Sequence, residues 1–136
     1  MPAFGGVNAH HDDMKSRNRM QRHVMMRFFP QGAGAVVNAS NVGRGATIAR
    51  TGVGRFVVTL DGPYPQLVHG DTAVAHATLV YNAVIVGTTT DATGITAVTI
   101  QVYDNAASPV AADVAAAATS SVSFSLVFLA TTQNGI

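Results

Sequence analysis

The stretch Val122–Phe128 (VSFSLVF) carries the pattern that decides the fold. Large apolar residues alternate there with smaller ones, two of them serines, so one side of an extended chain is apolar and the other is more polar. Such period-two alternation is typical of a β-strand that covers a core with one face. Because the overlapping run around Phe124–Ala130 would be prone to aggregation as a bare edge, we expect it at the centre of a sheet or beneath a partner.

Shorter apolar, β-branched runs precede this stretch, and turn signals rich in Gly, Pro, Asp and Asn separate them. The candidate strands are Met20–Phe29 (a strand or a short helix), Ala35–Ala39, Ala46–Arg50, Arg55–Leu60, Ala73–Val86 and Ile95–Tyr103. Six to eight short strands with this spacing and no sustained helical period predict an all-β fold. We expect two packed antiparallel sheets, an antiparallel β-sandwich.

The composition limits the class of protein. The 136 residues fit one domain, and 48% of them are hydrophobic, which argues against disorder along the whole chain. Only 11% are charged and none is glutamate, which excludes a solvated coiled coil. The absence of cysteine excludes a disulfide scaffold. We expect no membrane partner, because the uncharged stretches Thr72–Thr90 and Val114–Ile136 are rich in Ser, Thr, Ala and Gly.

The charges are strongly segregated along the chain. Residues 1–55 hold all eight basic residues and two of the seven acidic ones, whereas residues 56–136 hold five aspartates and no basic residue. Such asymmetry indicates an interaction arm. We therefore divide the chain into a basic, extended N-terminal arm (residues 1–27) and a β-sandwich domain (residues 28–136). The candidate partner-binding residues of the arm are Lys15, Arg17, Arg19, Arg22 and Arg27.

No set of residues typical of catalysis or metal binding stands out. The run His10–Asp13 offers four consecutive ligands, which do not readily converge on one ion. His69, Asp71 and His76 lack an accompanying nucleophile motif, and we interpret His69 as a turn residue and His76 as a strand residue. Most aspartates after residue 56 have turn-like neighbours. We therefore expect no catalytic residue, metal ligand or cofactor, and we expect that the protein is not an enzyme.

Two segments of the sequence resemble segments of a known protein family. Ile48–Leu60 (IARTGVGRFVVTL) resembles a hairpin phrase of small virion proteins of tailed bacteriophages, and Val98–Asp104 (VTIQVYD) is similar in kind. Over roughly residues 30–136 the chain resembles the jelly-roll cement, or decoration, proteins that coat the heads of short-tailed phages. The resemblance implies a jelly-roll-like sandwich bound in many copies outside a shell of major capsid protein, with contacts through terminal arms and added strands. Phage fibre knobs and C1q-like trimers share similar phrases.

These observations lead us to expect a structural virion protein on the outer surface of the capsid, made in the host cytoplasm. Its expected partners are the major capsid protein and further copies of itself, as a dimer or trimer. Met14, Met20, Met25 and Met26 can pack on a groove of a partner or in the core.

Two alternatives stay open. One is a receptor- or carbohydrate-binding knob of a fibre or tail, with Tyr64 or Tyr103 as its aromatic platform. The other, which we expect less because no aromatic residue interleaves with the arginines, is nucleic-acid binding through Lys15–Arg27.

Overall fold

The computed structural model describes residues 21–78, 80–116 and 120–129, and these form eight β-strands and one short 3-10 turn (Asn38–Ser40). The strands are β1 (Gln21–Phe28), β2 (Val42–Gly43), β3 (Ala46–Gly52), β4 (Arg55–Tyr64), β5 (Gln66–Ala75), β6 (Tyr81–Asp91), β7 (Gly94–Asp104) and β8 (Ser121–Leu129). In this part of the chain, no helix has the length and apolar character needed to cross a membrane.

The strands form two four-stranded sheets. Sheet I has the order β2-β1-β8-β5 and sheet II has the order β3-β4-β7-β6, with antiparallel pairing throughout. The central pairs are nested in the sequence, because the first strand pairs with the last and β4 pairs with β7. As a result, the first and last strands lie side by side at the centre of sheet I. The expectation of an all-β, antiparallel sandwich is confirmed.

The core lies between the sheets and is built from the alternating residues of the central strands. In β8 the inward residues Val122, Phe124, Leu126 and Phe128 are buried, whereas the residues between them form the outer face of sheet I. Across the core, the ring centroids of Phe28 and Phe56 are 4.9 Å apart, so an aromatic contact joins the two sheets. The expectation that the run around Phe124–Ala130 is central in a sheet is confirmed for its described part, because β8 lies between β1 and β5.

Strand β1 begins inside the segment that the sequence assigned to the arm. All eight of its residues pair with β8, from Gln21 opposite Leu129 to Phe28 opposite Val122. Val24 and Met26 point into the core and are buried. Residues 21–27 therefore belong to the sandwich, and residues 1–20 of the expected arm lie outside the described residues. Within Met20–Phe29, residues 21–28 form this strand, which settles the choice between a strand and a helix.

Two strand assignments from the sequence are wrong. Ala73–Val86 is not one strand, because the chain turns between the end of β5 at Ala75 and the start of β6 at Tyr81. The turn lacks Gly and Pro; the backbone N–H of Thr78 instead donates to Nδ1 of His76, at 3.3 Å. The segment 35–39 forms no strand either, although Val36 is buried in the core.

Candidate functional site

The five residues expected to bind a partner divide between described and undescribed parts of the chain. Lys15, Arg17 and Arg19 lie outside the described residues. Arg22 and Arg27 are both exposed on β1. They are five positions apart and so have opposite orientations along the strand, with Arg27 on the outer face of sheet I. The structure therefore shows two of the five positions and does not place them side by side.

A shallow groove of about 330 Å³ crosses the outer face of sheet I. Its floor includes Ser123 and Ser125 of β8, whose small side chains lie lower than their neighbours. Met25 and Arg27 of β1 flank the serines on one side and Asp71 of β5 on the other, since Met25 pairs with Ser125 and Ser125 with Asp71.

The groove is apolar on its β1 side. Met25 is 61% exposed and Val42, beside Arg27, is 50% exposed. Of the methionines that the sequence left between a partner groove and the core, Met25 is on the surface and Met26 is in the core. Met14 and Met20 lie outside the described residues. The alternation of residues along β1 determines which methionine is exposed, and this pattern is visible in the sequence. The groove could not be predicted in the same way, because it forms only where β1, β8 and β5 lie side by side.

A second hollow, of about 300 Å³, lies where the edge strands β5 and β6 approach each other. The hydroxyl of Thr72 donates to the carbonyl oxygen of Ala83 at 2.6 Å, which ties the edge of one sheet to the edge of the other. Gly70 leaves room here for the end of the Ile85 side chain, which a β-carbon would displace. This contact closes part of one side of the sandwich.

An ion pair fastens the loop before β8 to the β3–β4 hairpin. Nε and Nη2 of Arg50 donate to the two carboxylate oxygens of Asp113 at 2.9 and 2.8 Å, and the backbone N–H of Gly54 donates to the same carboxylate at 2.7 Å. The hydrogen bond from Arg50 holds the pKa of the Asp113 carboxyl below its usual value. Gly54 has φ +62°, and a β-carbon there would overlap the carbonyl oxygens of Val102 and Ala112. The contact is a structural clamp.

The prediction of turn roles holds for two of the other four aspartates after residue 56, whereas Asp61 and Asp71 lie within β4 and β5. Asp91 accepts a hydrogen bond from the backbone N–H of Thr93 at 2.7 Å, and hydrogen bonds from Thr93 lower its pKa. Asp104 accepts one from the backbone N–H of Val110 at 3.0 Å. Asp113 is the aspartate whose role the sequence missed, because its partner Arg50 is 63 positions away and no local pattern links the two.

The histidines and tyrosines that the sequence analysis named lie in different elements of the described residues. His69 lies in β5 and His76 in the following turn, the reverse of the assignments made from the sequence. No group of three or more His or Asp side chains within residues 21–78, 80–116 and 120–129 is placed to hold a metal ion. The run His10–Asp13 lies outside these ranges. The Tyr64 ring stacks on the Phe128 ring at 4.8 Å and packs against the core.

The strand order turns the segregation of charge along the sequence into a segregation in space. Strands β1–β4 (residues 21–64) lie together on one side of both sheets, and we call them the basic half. Strands β5–β8 (residues 66–129) lie on the other side and form the acidic half. The exposed arginines of the basic half are Arg22, Arg27, Arg44 and Arg55. The corresponding aspartates of the acidic half are Asp71, Asp91 and the partly exposed Asp104.

Comparison with known proteins gives no relative for this chain: no family model, no curated protein and no solved structure matches it.

Proposed function

We propose that the protein is a structural component of a bacteriophage virion that binds the outside of the capsid and cements neighbouring major capsid proteins. The observation that supports this proposal most is the position of Gln21 and Leu129, the first residue of β1 and the last of β8. Gln21 and Leu129 are paired neighbours in sheet I, so the segments that precede and follow the sandwich both join it at one end. The basic residues Lys15, Arg17 and Arg19 join the fold a few positions before the exposed Arg22.

This arrangement suits attachment by a segment that leaves a rigid domain. Arginine can form forked, charge-assisted hydrogen bonds with the carboxylates of a coat protein. Each exposed ion pair contributes at most about 1 kcal/mol, so stable attachment needs many contacts and many copies on one lattice. An extended segment can add to the sheet edge of a neighbour and gain main-chain hydrogen bonds. A cementing protein of this kind needs contact area more than it needs an enclosed pocket.

The first experiment is to measure the stoichiometry of the protein in purified particles, by mass spectrometry against the major coat protein. A lattice-wide cement protein is expected at a fixed ratio to the coat subunit. A handful of copies per particle would contradict the proposal and favour the fibre or tail knob. Absence from particles would exclude both virion roles and direct attention to nucleic acid.

The second experiment tests the basic segment with a truncation that respects the fold. Deletion of residues 1–20 leaves β1 whole and removes Lys15, Arg17 and Arg19. We expect this variant to fold and to lose binding to shells. A matched control restores residues 1–20 with Lys15, Arg17 and Arg19 replaced by Gln, which separates the charge of the segment from its length. Binding at full affinity by the truncated variant would contradict a role for the segment.

A further inference from the structure

The two halves of the sandwich carry opposite charges that are mostly not paired with each other within one copy. In sheet I, β8 separates β1, which carries Arg27, from β5, which carries Asp71, so the backbones of these two strands are roughly 10 Å apart, twice the spacing between neighbouring strands. Within the described residues, the one ion pair is that between Arg50 and Asp113, which belongs to the structural clamp. Arg27 and Arg44 on one side and Asp71 and Asp91 on the other have no opposite charge within 4.0 Å among those residues.

We propose that copies of this chain associate side by side, with the basic half of one copy against the acidic half of the next. Opposite charges face each other in this arrangement, whereas two basic halves or two acidic halves would repel. The contact is therefore heterologous, and it leaves each copy with one basic half and one acidic half to offer to further copies. Such contacts close into a ring when the rotation between copies allows it and otherwise extend into a filament.

Apolar side chains lie on both halves beside these charges. Met25 and Val42 on the basic half are 61% and 50% exposed, and Val84 and Val86 on the acidic half are each 44% exposed. Burial of these apolar side chains favours association without determining the orientation of the two copies, whereas the charges determine which sides meet. Asp61 is the acidic residue of β4 that lies on the basic half, and its charge reduces that side's excess without cancelling four exposed arginines.

The sheet edges provide main-chain groups for the same contact. Among the described residues, β2 pairs with β1 only at Met26 and Arg27, so the Gln21–Met25 part of β1 has no strand partner on that side. At the other side of the sandwich, β5 and β6 are the edge strands. An edge of one copy placed beside the opposite edge of the next can therefore form hydrogen bonds between sheets.

The test uses the purified full chain alone, in sedimentation velocity at low and high salt. We expect species larger than the 14.0 kDa monomer at low salt and dissociation toward the monomer at about 1 M salt, where charges are strongly screened. A monomer at all protein concentrations and at both salt concentrations would overturn the proposal. The measurement contains no shells, so its outcome is independent of whether the protein binds a capsid.

Charge reversal identifies the surfaces. One variant carries Arg27→Asp and Arg44→Asp, and the other carries Asp71→Arg and Asp91→Arg. The first variant removes the positive excess of the basic half, and the second removes the negative excess of the acidic half. The two halves of each variant no longer attract each other, so we expect association to weaken by roughly tenfold or more. The four side chains are exposed, but Asp91→Arg also removes the hydrogen bonds that Asp91 accepts from Thr93, so thermal unfolding must show that both variants keep the fold.

A 1:1 mixture of the two variants gives the sharpest result. Each side of one variant is then opposite in charge to a side of the other, and we expect assembly to return with equal amounts of both. A dimer formed through one half only would persist when the charges of the other half are reversed. That result would overturn the proposed contact between the basic half of one copy and the acidic half of the next. Asp61→Arg is the matched control, because it makes the same charge change as Asp71→Arg on the basic half and is expected not to weaken association.

Discussion

The central strands and the edge strands β5 and β6 both alternate inward and outward side chains, but they differ in how deeply the inward side chains are buried. In the central strand β8, Leu126 and Phe128 are fully buried and neighbouring strands cover both edges of the backbone. In the edge strands β5 and β6, no residue is buried to that extent and Val68 and Val84 are about half exposed. The difference indicates that β1, β4, β7 and β8 account for most of the stability, whereas the sides and outer faces are available for contacts with partners.

The strongest test of this contrast is to remove a central strand while sparing the segment before it. Deletion of residues 1–27 removes seven of the eight residues of β1 and exposes the edge of β8, so we expect loss of the cooperative fold. Deletion of residues 1–20 is the matched control and should retain it. Circular dichroism with thermal unfolding distinguishes the two. A cooperative transition in the longer deletion would show that β1 is dispensable and that the arm does extend to residue 27.

A smaller effect is expected from emptying one core position. Phe28→Ala should lower the free energy of unfolding by roughly 3–5 kcal/mol, because the ring is fully buried and contacts the ring of Phe56. Met25→Ala, three residues away on the same strand and 61% exposed, should change it by less than about 0.5 kcal/mol. Denaturant unfolding measures both. Equal effects at the two positions would contradict the division between core and surface.

The smallest effect is expected at the clamp. Asp113→Asn should lower the free energy of unfolding at neutral pH by about 1 kcal/mol, since it weakens the ion pair with Arg50. The pKa of Asp113 is lower in the folded than in the unfolded state, so its stabilisation is complete above the unfolded pKa. It is lost as the pH falls through the folded pKa. The difference between wild type and variant should therefore shrink in acid, as thermal unfolding across that range can show; a difference independent of pH would exclude the charged pair as its cause.

The sequence predicted those elements whose pattern is local. The alternation in Val122–Phe128 and in Ile95–Tyr103 identified β8 and β7 and which of their residues face the core. It failed where one alternating pattern runs through a turn, as in Ala73–Val86. There the chain reverses through contacts of His76 with Thr78 instead of a glycine or proline.

The candidate site was less accessible to prediction than the fold. The arm residues were chosen by charge alone, and the sequence did not show that Arg22 and Arg27 are part of a core strand. The groove and the clamp join positions far apart in the chain, so they depend on the order of strands in the sheets. The separation of basic and acidic halves also needed that order, although the charge pattern from which it arises was visible in the sequence.

The position of the last strand has a consequence for the order of folding. Sheet I is completed only when β8 enters between β1 and β5, and β8 follows every other strand in the sequence. During synthesis, β1 and β5 have no strand between them until the residues of β8 have left the ribosome. The core cannot close before then, and the contact between β1 and β8 spans about the whole domain. Folding is therefore expected to be slow and late, with exposed strand edges as the main risk of aggregation in the unfinished chain.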